Sequence, residues 1–276
     1  MSRDTSFYYS FLVLPPRKRR ALLAVWDFCR AVDDAVDVVD VGRVPRSGPA
    51  DPLAPWRAEL NACFDGREPG TAQGKALQPF INEFSLPRQP FEDLIDGVEM
   101  DLSHARYPTF HALAEYCRRV ASTVGLICIE IFGYRDPATR AYAVNLGMAL
   151  QLTNIIRDVA ADQEQGRVYL PAEDMGRFSV TEDGLRAGKV TPEVRDLLRF
   201  ECERARYYYR LAADERPRVD ARSLVAAEIM GGIYFEILRR IERAGYDVFS
   251  RRVRVPRPYR ALIALRIWVR TVLLRR

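Results

Sequence analysis

The chain has 276 residues, 48% of them hydrophobic, so it can bury a large core as one domain or two small ones. Its formal net charge is +5, but residues 251–276 hold nine arginines and no acidic residue, which leaves the rest of the chain at −4. Because the basic excess belongs to the tail, and no face of the body interleaves basic with aromatic residues, we expect no nucleic-acid binding.

Helical patterns dominate the first half of the chain. An aromatic and apolar stretch, 6–14, is interrupted by Pro15 and Pro16, and a long helix is predicted over 17–39. A loop rich in glycine, proline and serine follows over 42–55. The other predicted helices of this half cover 56–64, 72–84, 91–102, 109–132 and 137–162, with Gly133 stopping the fourth of these.

The second half begins with the longest irregular region, 163–192, whose glycines and prolines predict short turns. A long loop beside a charged helix end is typical of a lid. Helices are predicted again over 192–215, 219–244 and 256–276. Since no strand alternation or repeat stands out, we predict an all-α protein with a single domain, 1–276, in which 251–276 form a basic amphipathic tail.

The first long helix carries an acidic ladder. Asp33 and Asp37 lie one helical turn apart on a single face. Arg30, Trp26 and Leu22 continue that face towards the start of the helix, so the carboxylates extend an apolar stripe. They do not occupy its solvated reverse side.

A second ladder lies at the end of the predicted helix over 137–162. Asn154, Asp158 and Asp162 continue a polar stripe from Gln151, while apolar residues cover the other sides of the helix. An unpaired buried carboxylate is costly, so we expect cations to face each ladder.

The ligand types in these ladders suit Mg²⁺, which prefers carboxylate and amide oxygens and commonly bridges to substrate phosphates. Mg²⁺ on a diphosphate neutralises a leaving group, as heterolysis of an allylic diphosphate requires. Arg30 and Arg157 could hold that diphosphate. The alternative is that the carboxylates are structural and that these arginines are their ion-pair partners. His104 and His111 have no partner at ligand spacing, so a zinc site is not expected.

Further motifs accompany the ladders in order along the chain: Ser6-Phe7-Tyr8, Leu14-Pro15, Tyr116-Cys117, Val124-Gly125, Arg167-Val-Tyr-Leu-Pro171 and Tyr234. Together with the stretches 29–37 and 151–162, they resemble the squalene/phytoene synthase family, the head-to-head trans-isoprenyl diphosphate synthases. The resemblance covers almost the whole chain. It implies one isoprenoid synthase-type helical bundle around a central cavity, with Mg²⁺ held between the two ladders.

The resemblance also implies roles for individual residues by motif position. The Mg²⁺ ligands would be Asp33, Asp37, Asn154, Asp158 and Asp162, with the four aspartates catalytic. The diphosphate and prenyl sites would be lined by Ser6, Trp26, Arg30, Gln151, Arg157, Tyr234 and Arg251. Two departures point away from phytoene synthases, because Trp26 replaces a common tyrosine and Arg118 stands where carotenoid-forming relatives often have tyrosine.

The segments 6–15, 116–122 and 245–253 look like those of presqualene diphosphate synthases of bacterial hopanoid pathways. This resemblance implies a prenyltransferase that condenses two farnesyl diphosphates and stops at the cyclopropyl intermediate. Phytoene or dehydrosqualene synthase is the runner-up. A non-catalytic assembly factor need not retain metal ligands, and a lipid carrier would need no magnesium. The complete set of oxygen ligands in the ladders favours the enzyme.

The tail gives a separate expectation about membranes. Leu262, Leu265, Val269 and Val272 fall on one helical face, with Arg266 elsewhere, a pattern that can rest on an anionic bilayer. A terminal helix docked on the body is the alternative. The five cysteines are odd in number and lack metal or redox spacing, and no apolar signal core is present. We therefore expect a cytoplasmic protein, peripheral at the inner membrane face if the tail binds lipid.

Overall fold

The computed structural model describes the backbone of residues 7–40, 51–103 and 106–272, and the side chains of residues 9–36, 51–102 and 106–272. Thirteen α-helices form most of this part of the chain. They are α1 (Phe7–Leu12), α2 (Pro16–Asp40), α3 (Ala54–Phe64), α4 (Ala72–Glu83), α5 (Gln89–Ser103), α6 (Phe110–Cys117), α7 (Thr123–Phe132), α8 (Thr139–Glu164), α9 (Ala172–Arg177), α10 (Glu182–Arg186), α11 (Pro192–Glu215), α12 (Val225–Arg243) and α13 (Arg257–Val272). Apart from an isolated bridge between Arg106 and Val168, the described residues contain no strand, and the all-α prediction is confirmed.

Threonine caps explain where several helices begin. Thr71, Thr109, Thr181 and Thr191 precede α4, α6, α10 and α11, and each side chain accepts a hydrogen bond from an amide in the first turn. Such caps satisfy amides that have no partner within the helix. Thr191 is followed by Pro192 at the first helical position, where the missing N–H costs nothing. The predicted bounds of this helix, 192–215, match α11.

The predicted helix 109–132 contains a π-helical turn, Arg118–Ser122, which separates α6 from α7. Two glycines on neighbouring helices allow this wider turn. A Cβ on Gly147 of α8 would lie 2.6 Å from Ser122 Cα, and one on Gly97 of α5 would lie 2.7 Å from Arg119 Cβ. The chain is helical throughout 110–132, so the predicted helix is confirmed, but the π-helical turn within it was not anticipated, since these tertiary contacts leave no periodic trace in the sequence.

The region 163–192 is more ordered than its glycine content predicts. It contains the short helices α9 and α10, and Val168, Tyr169 and Leu170 are buried. The Arg106 guanidinium donates to the Gly166 carbonyl at 2.7 Å. We call residues 163–171 the strap, because they run from the end of α8 across the body to α9. A role as a lid stays a prediction.

Two hydrophobic clusters flank the centre of the molecule. The first lies among α2, α5 and α7 and includes Leu22, Phe28 and Phe91. The second lies among α8, α11 and α12 and includes Ile156 and Leu238. The α8 helix packs against α7, α11, α12 and the π-helical turn, so it is the central helix of the fold.

The last helix, α13, is docked on the body, as the alternative for the tail anticipated. Ile263 and Ile267 pack onto Gly232 of α12, where an added Cβ would lie 2.7 Å from Ile267 Cδ1. Leu262 and Leu265 remain 56% and 58% exposed on the outer side. Among the described residues, no helix has the length and apolar character needed to cross a membrane.

Candidate active site

A cavity of about 340 Å³ lies between the two hydrophobic clusters. Helices α2, α5, α7, α8 and α12 and the π-helical turn contribute to its wall. Seven of the residues proposed from sequence line it: Trp26, Arg30, Asp33, Gln151, Asn154, Arg157 and Tyr234. The rest of the wall is almost entirely apolar, and one space therefore joins polar groups from both ladder helices.

Helical periodicity explains how α2 and α8 supply this wall. Leu22, Trp26 and Asp33 lie on one face of α2, and Gly147, Gln151 and Asn154 lie on one face of α8. On both helices the polar residues come later in the chain than the apolar ones. The cavity consequently has a polar mouth and an apolar interior.

The α8 ladder is partly buried, and two cations face one of its carboxylates. Asp158 is only 15% exposed and accepts hydrogen bonds from two guanidinium groups, those of Arg157 and Arg252. The Nε atoms of both arginines lie 2.8 Å from Oδ1, and Arg252 Nη2 lies 2.8 Å from Oδ2. Burial would raise the pKa of Asp158, but these two arginines outweigh it and lower the pKa. The expectation that cations face this ladder is therefore confirmed at Asp158.

One turn further along α8, Asp162 has the opposite character. Burial and, secondly, the negative charge of Asp158 raise the pKa of Asp162 to about 7. Asp162 lines a small recess that Arg167 and Tyr169 of the strap also border. A cation bound between Asp158 and Asp162 would remove the repulsion between them.

The described part of the α2 ladder is more exposed to solvent. Asp33 is exposed at the cavity mouth. Asp34, the next residue in the chain, forms an ion pair with Arg30, in which Arg30 Nε lies 3.0 Å from Asp34 Oδ1. The side chain of Asp37 lies outside the described residues, as does the whole of Ser6. Arg251 is exposed and does not contribute to the cavity wall.

The residues of α8 fit a hard metal ion by donor type. Asn154 Oδ1 is buried and has no hydrogen-bond partner, while its amide nitrogen donates to Gln151 Oε1 at 3.3 Å. An orphaned amide oxygen one turn from Asp158 is a suitable Mg²⁺ ligand. Within the described part of the chain, no three His, Cys, Asp or Glu side chains converge on one point, so Asn154 and ligands from α2 are needed to complete a site.

Two features of the site were missed from sequence. The first is Arg252, which binds Asp158, whereas its neighbour Arg251 was proposed. The second is a buried tyrosine cluster that includes Tyr169 of the strap, in which Tyr116 and Tyr169 donate to Asp101 at 3.0 and 2.8 Å. Tyr107 stacks on Tyr169 in the same cluster. Arg252 lies on an irregular segment, where no periodicity indicates which side chain turns inward.

Comparisons with known proteins show which sequences and folds the chain resembles. A family profile described as squalene/phytoene synthase matches residues 1–259. The phytoene synthase of Arthrospira platensis is 39% identical over 91% of this chain and 84% of its own. The 15-cis-phytoene synthase of Synechocystis sp. is 38% identical over 98% of this chain and 82% of its own.

Two solved structures give the same picture. A dehydrosqualene synthase, 28% identical, superposes with a TM-score of 0.85 and covers 96% of this chain and 91% of its own. Squalene synthase HpnC from Alicyclobacillus acidocaldarius, 30% identical, gives a TM-score of 0.74 and covers 87% of this chain and 89% of its own. Similarity in sequence and in fold thus extends over nearly the whole chain.

Proposed function

The chain belongs to the squalene/phytoene synthase family, and from that premise we propose that it condenses two farnesyl diphosphates head to head and releases presqualene diphosphate. Family members are prenyltransferases that join prenyl diphosphates in this manner. One observation carries the assignment to a substrate: a single cavity combines an apolar interior with a charged mouth. A prenyl chain matches the interior, and a diphosphate matches the mouth.

The cavity wall along α2 is long enough to accommodate a prenyl chain. Asp33 at the mouth and Leu22 inside are eleven residues apart on α2, which corresponds to about 16 Å along the helix axis. Phe132 and Tyr142 contribute to the wall, and the Tyr142 hydroxyl is held by Glu228 at 2.8 Å.

The proposed division of labour follows the polarity of the wall. Asn154, Asp158 and Asp162 of α8, with Asp33 and Asp37 of α2, would hold Mg²⁺. When bound, Mg²⁺ supplies positive charge that stabilises the departing diphosphate.

The other proposed roles belong to side chains that need no metal. Arg30 and Arg157 would bind diphosphate oxygens through their planar guanidinium groups. The apolar lining would exclude water from reactive carbons. Trp26 and Tyr234 would present aromatic faces to developing positive charge. Gln151 would orient the substrate beside Asn154, and Ser6 and Arg251 remain proposed substrate contacts.

The halt at presqualene diphosphate rests on sequence. The segments 6–15, 116–122 and 245–253 resemble presqualene diphosphate synthases, and the chain has no GxGxxG motif for a nicotinamide nucleotide. Phytoene synthesis is the second candidate, because the curated relatives described above carry that name. Trp26 and Arg118 are the departures that weigh against it.

Product analysis tests the proposal directly. Purified protein with Mg²⁺ and farnesyl diphosphate should release one diphosphate per two substrates and accumulate a thirty-carbon diphosphate, with NADPH making no difference. Squalene on NADPH addition would refute the halt. A hydrocarbon without reductant, or faster turnover of geranylgeranyl diphosphate, would favour the carotenoid-type alternative. Diphosphate release that is absent with every substrate would favour an assembly factor or carrier.

We further propose that α13 rests on an anionic membrane surface, in keeping with a product that carries a thirty-carbon apolar chain. The exposed Leu262 and Leu265 lie on a helix that carries Arg257, Arg266 and Arg270 and no acidic residue. Arginines near an anionic surface add up to about 1 kcal/mol each to binding. Such binding would make the protein peripheral at the inner membrane face.

A double variant tests this surface without removing the docked helix. Leu262→Ser with Leu265→Ser should reduce sedimentation with phosphatidylglycerol vesicles, whereas Val219→Ser, at a position 55% exposed on another surface, should not. Equal sedimentation of both variants and the parent protein would remove the membrane proposal.

A further inference from the structure

The Asp158 carboxylate is fully engaged in this structure. A carboxylate offers about four lone-pair positions, and here Arg157 and Arg252 each direct two N–H groups at its two oxygens. A metal ion needs at least one of those positions. Asp158 can therefore ligate a cation only if one guanidinium group withdraws.

The two arginines differ in their freedom to withdraw. The Arg157 side chain is 12% exposed, lies on α8 beside Asp158, and also hydrogen-bonds with the Tyr234 hydroxyl. The Arg252 side chain is 51% exposed and lies on the irregular segment between α12 and α13. An exposed ion pair contributes little to stability, so the pair between Arg252 and Asp158 is the weaker one. Arg252 is consequently the group that can leave.

Neither Arg252 nor Asp158 lines the main cavity, but Asp158 binds both Arg252 and Arg157, and Arg157 does line it. A diphosphate bound beside Arg157 would offer Arg252 another partner. A guanidinium group binds a phosphate with the same two-pronged geometry with which it binds a carboxylate. The two arginines and Asp158 together carry one net positive charge, which favours an incoming anion. If Asp158 takes a cation and Arg252 takes a diphosphate, two ion pairs replace one.

Resting on the function proposed above, we infer that Arg252 is a diphosphate-binding residue that exchanges partners, passing from Asp158 to the substrate diphosphate as a divalent cation binds Asp158. Arg252 and the cation compete for Asp158, whereas Arg252 and the cation cooperate when diphosphate is present. The binding of Mg²⁺ alone and the binding of diphosphate should therefore respond to Arg252 in opposite directions.

Equilibrium binding with small probes tests this exchange without turnover. The variants are Arg252→Gln and the control Arg254→Gln, which removes the same charge from an exposed position two residues away. Calorimetry measures Mg²⁺ alone, and then inorganic diphosphate at fixed saturating Mg²⁺. Relative to the control, Arg252→Gln should bind Mg²⁺ alone about 3- to 10-fold more tightly and diphosphate about 10- to 100-fold more weakly. Arg252→Lys keeps the charge but loses the planar guanidinium group that can donate two parallel hydrogen bonds. Its affinities for both probes should lie between those of Arg252→Gln and those of the parent protein.

Each outcome has a distinct meaning. If Arg252→Gln and Arg254→Gln show equal affinities for both probes, the effect is general electrostatics and the partner exchange is refuted. If diphosphate affinity falls but Mg²⁺ affinity does not rise, Arg252 does not compete for Asp158 and the exchange is also refuted. If the parent protein binds no diphosphate, the proposed function fails along with the inference. Use of geranylgeranyl diphosphate in turnover would change the substrate assignment only.

Discussion

Both ladders repeat aspartates one helical turn apart, yet Asp33 on α2 and Asp158 on α8 lie in different surroundings. On α2, Asp33 is exposed, and the nearby pair of Arg30 and Asp34 is open to water. On α8, Asp158 is largely buried and held by two arginines. The difference shows that aspartates of one motif can lie in two electrostatic environments: Asp33 is open to solvent, whereas two guanidinium groups stabilise the buried Asp158.

The largest expected effect tests what the ladders share. Asp33→Asn and Asp158→Asn should each lower kcat by about 10²-fold or more, because each removes charge that stabilises the transition state. The measurement is Mg²⁺-dependent release of diphosphate from farnesyl diphosphate. Near-normal turnover in both variants would contradict a metal site shared between α2 and α8.

The next effect tests how the ladders differ. Asp158→Asn should lower the free energy of unfolding by about 2–4 kcal/mol, because the buried Arg157 loses its counter-charge. Asp33→Asn should change it by less than about 0.5 kcal/mol, as expected for an exposed side chain. Urea unfolding monitored by circular dichroism measures both values. Equal losses would show that burial does not distinguish the two ladders.

Periodicity explains how much of this site was predictable. Trp26, Arg30 and Asp33 were placed on one face by spacing alone, and the structure brings them to the same cavity as Asn154 and Arg157. Helix bounds were predictable where a cap and a proline coincide, as at Thr191 and Pro192. The sequence contains both signals locally.

Contacts between distant segments were not predictable in the same way. The π-helical turn depends on how closely Gly97 and Gly147 let neighbouring helices approach Arg119 and Ser122. The choice of Arg252 at Asp158 depends on the path of an irregular segment. Asp101 gathers Tyr116 and Tyr169 from separate elements, and no spacing in the sequence connects them.

Burial on the α8 side also predicts a dependence on pH. Glu201 of α11 is buried beside Asp174, and both carboxylates share Arg204 at 2.7–2.8 Å. Burial raises the pKa of Glu201 to about 7 from an ordinary value of 4.5. Because the folded state then binds the proton more tightly than the unfolded state, stability should fall as pH rises from about 4.5 to 7.

Thermal unfolding at pH 5, 6, 7 and 8 measures this dependence. The parent protein should lose a few degrees of Tm across the range relative to Glu201→Gln, which has no carboxyl group to ionise at that position. Parallel curves for the two proteins would show that Glu201 stays ionised throughout, with Arg204 compensating for its burial.

The smallest expected effect separates Asp34 from its neighbour Asp33. Asp34 is 54% exposed and does not line the cavity, and its partner Arg30 is 59% exposed, so their ion pair should contribute less than about 1 kcal/mol. Asp34→Asn should therefore leave the free energy of unfolding within about 0.5 kcal/mol of the parent value. Turnover should stay within a few-fold, because Arg30 at the cavity mouth keeps its charge and is released from its neighbour. A loss as large as that of Asp33→Asn would mean that the α2 ladder uses Asp34 as well, and that lining the cavity does not distinguish the two aspartates.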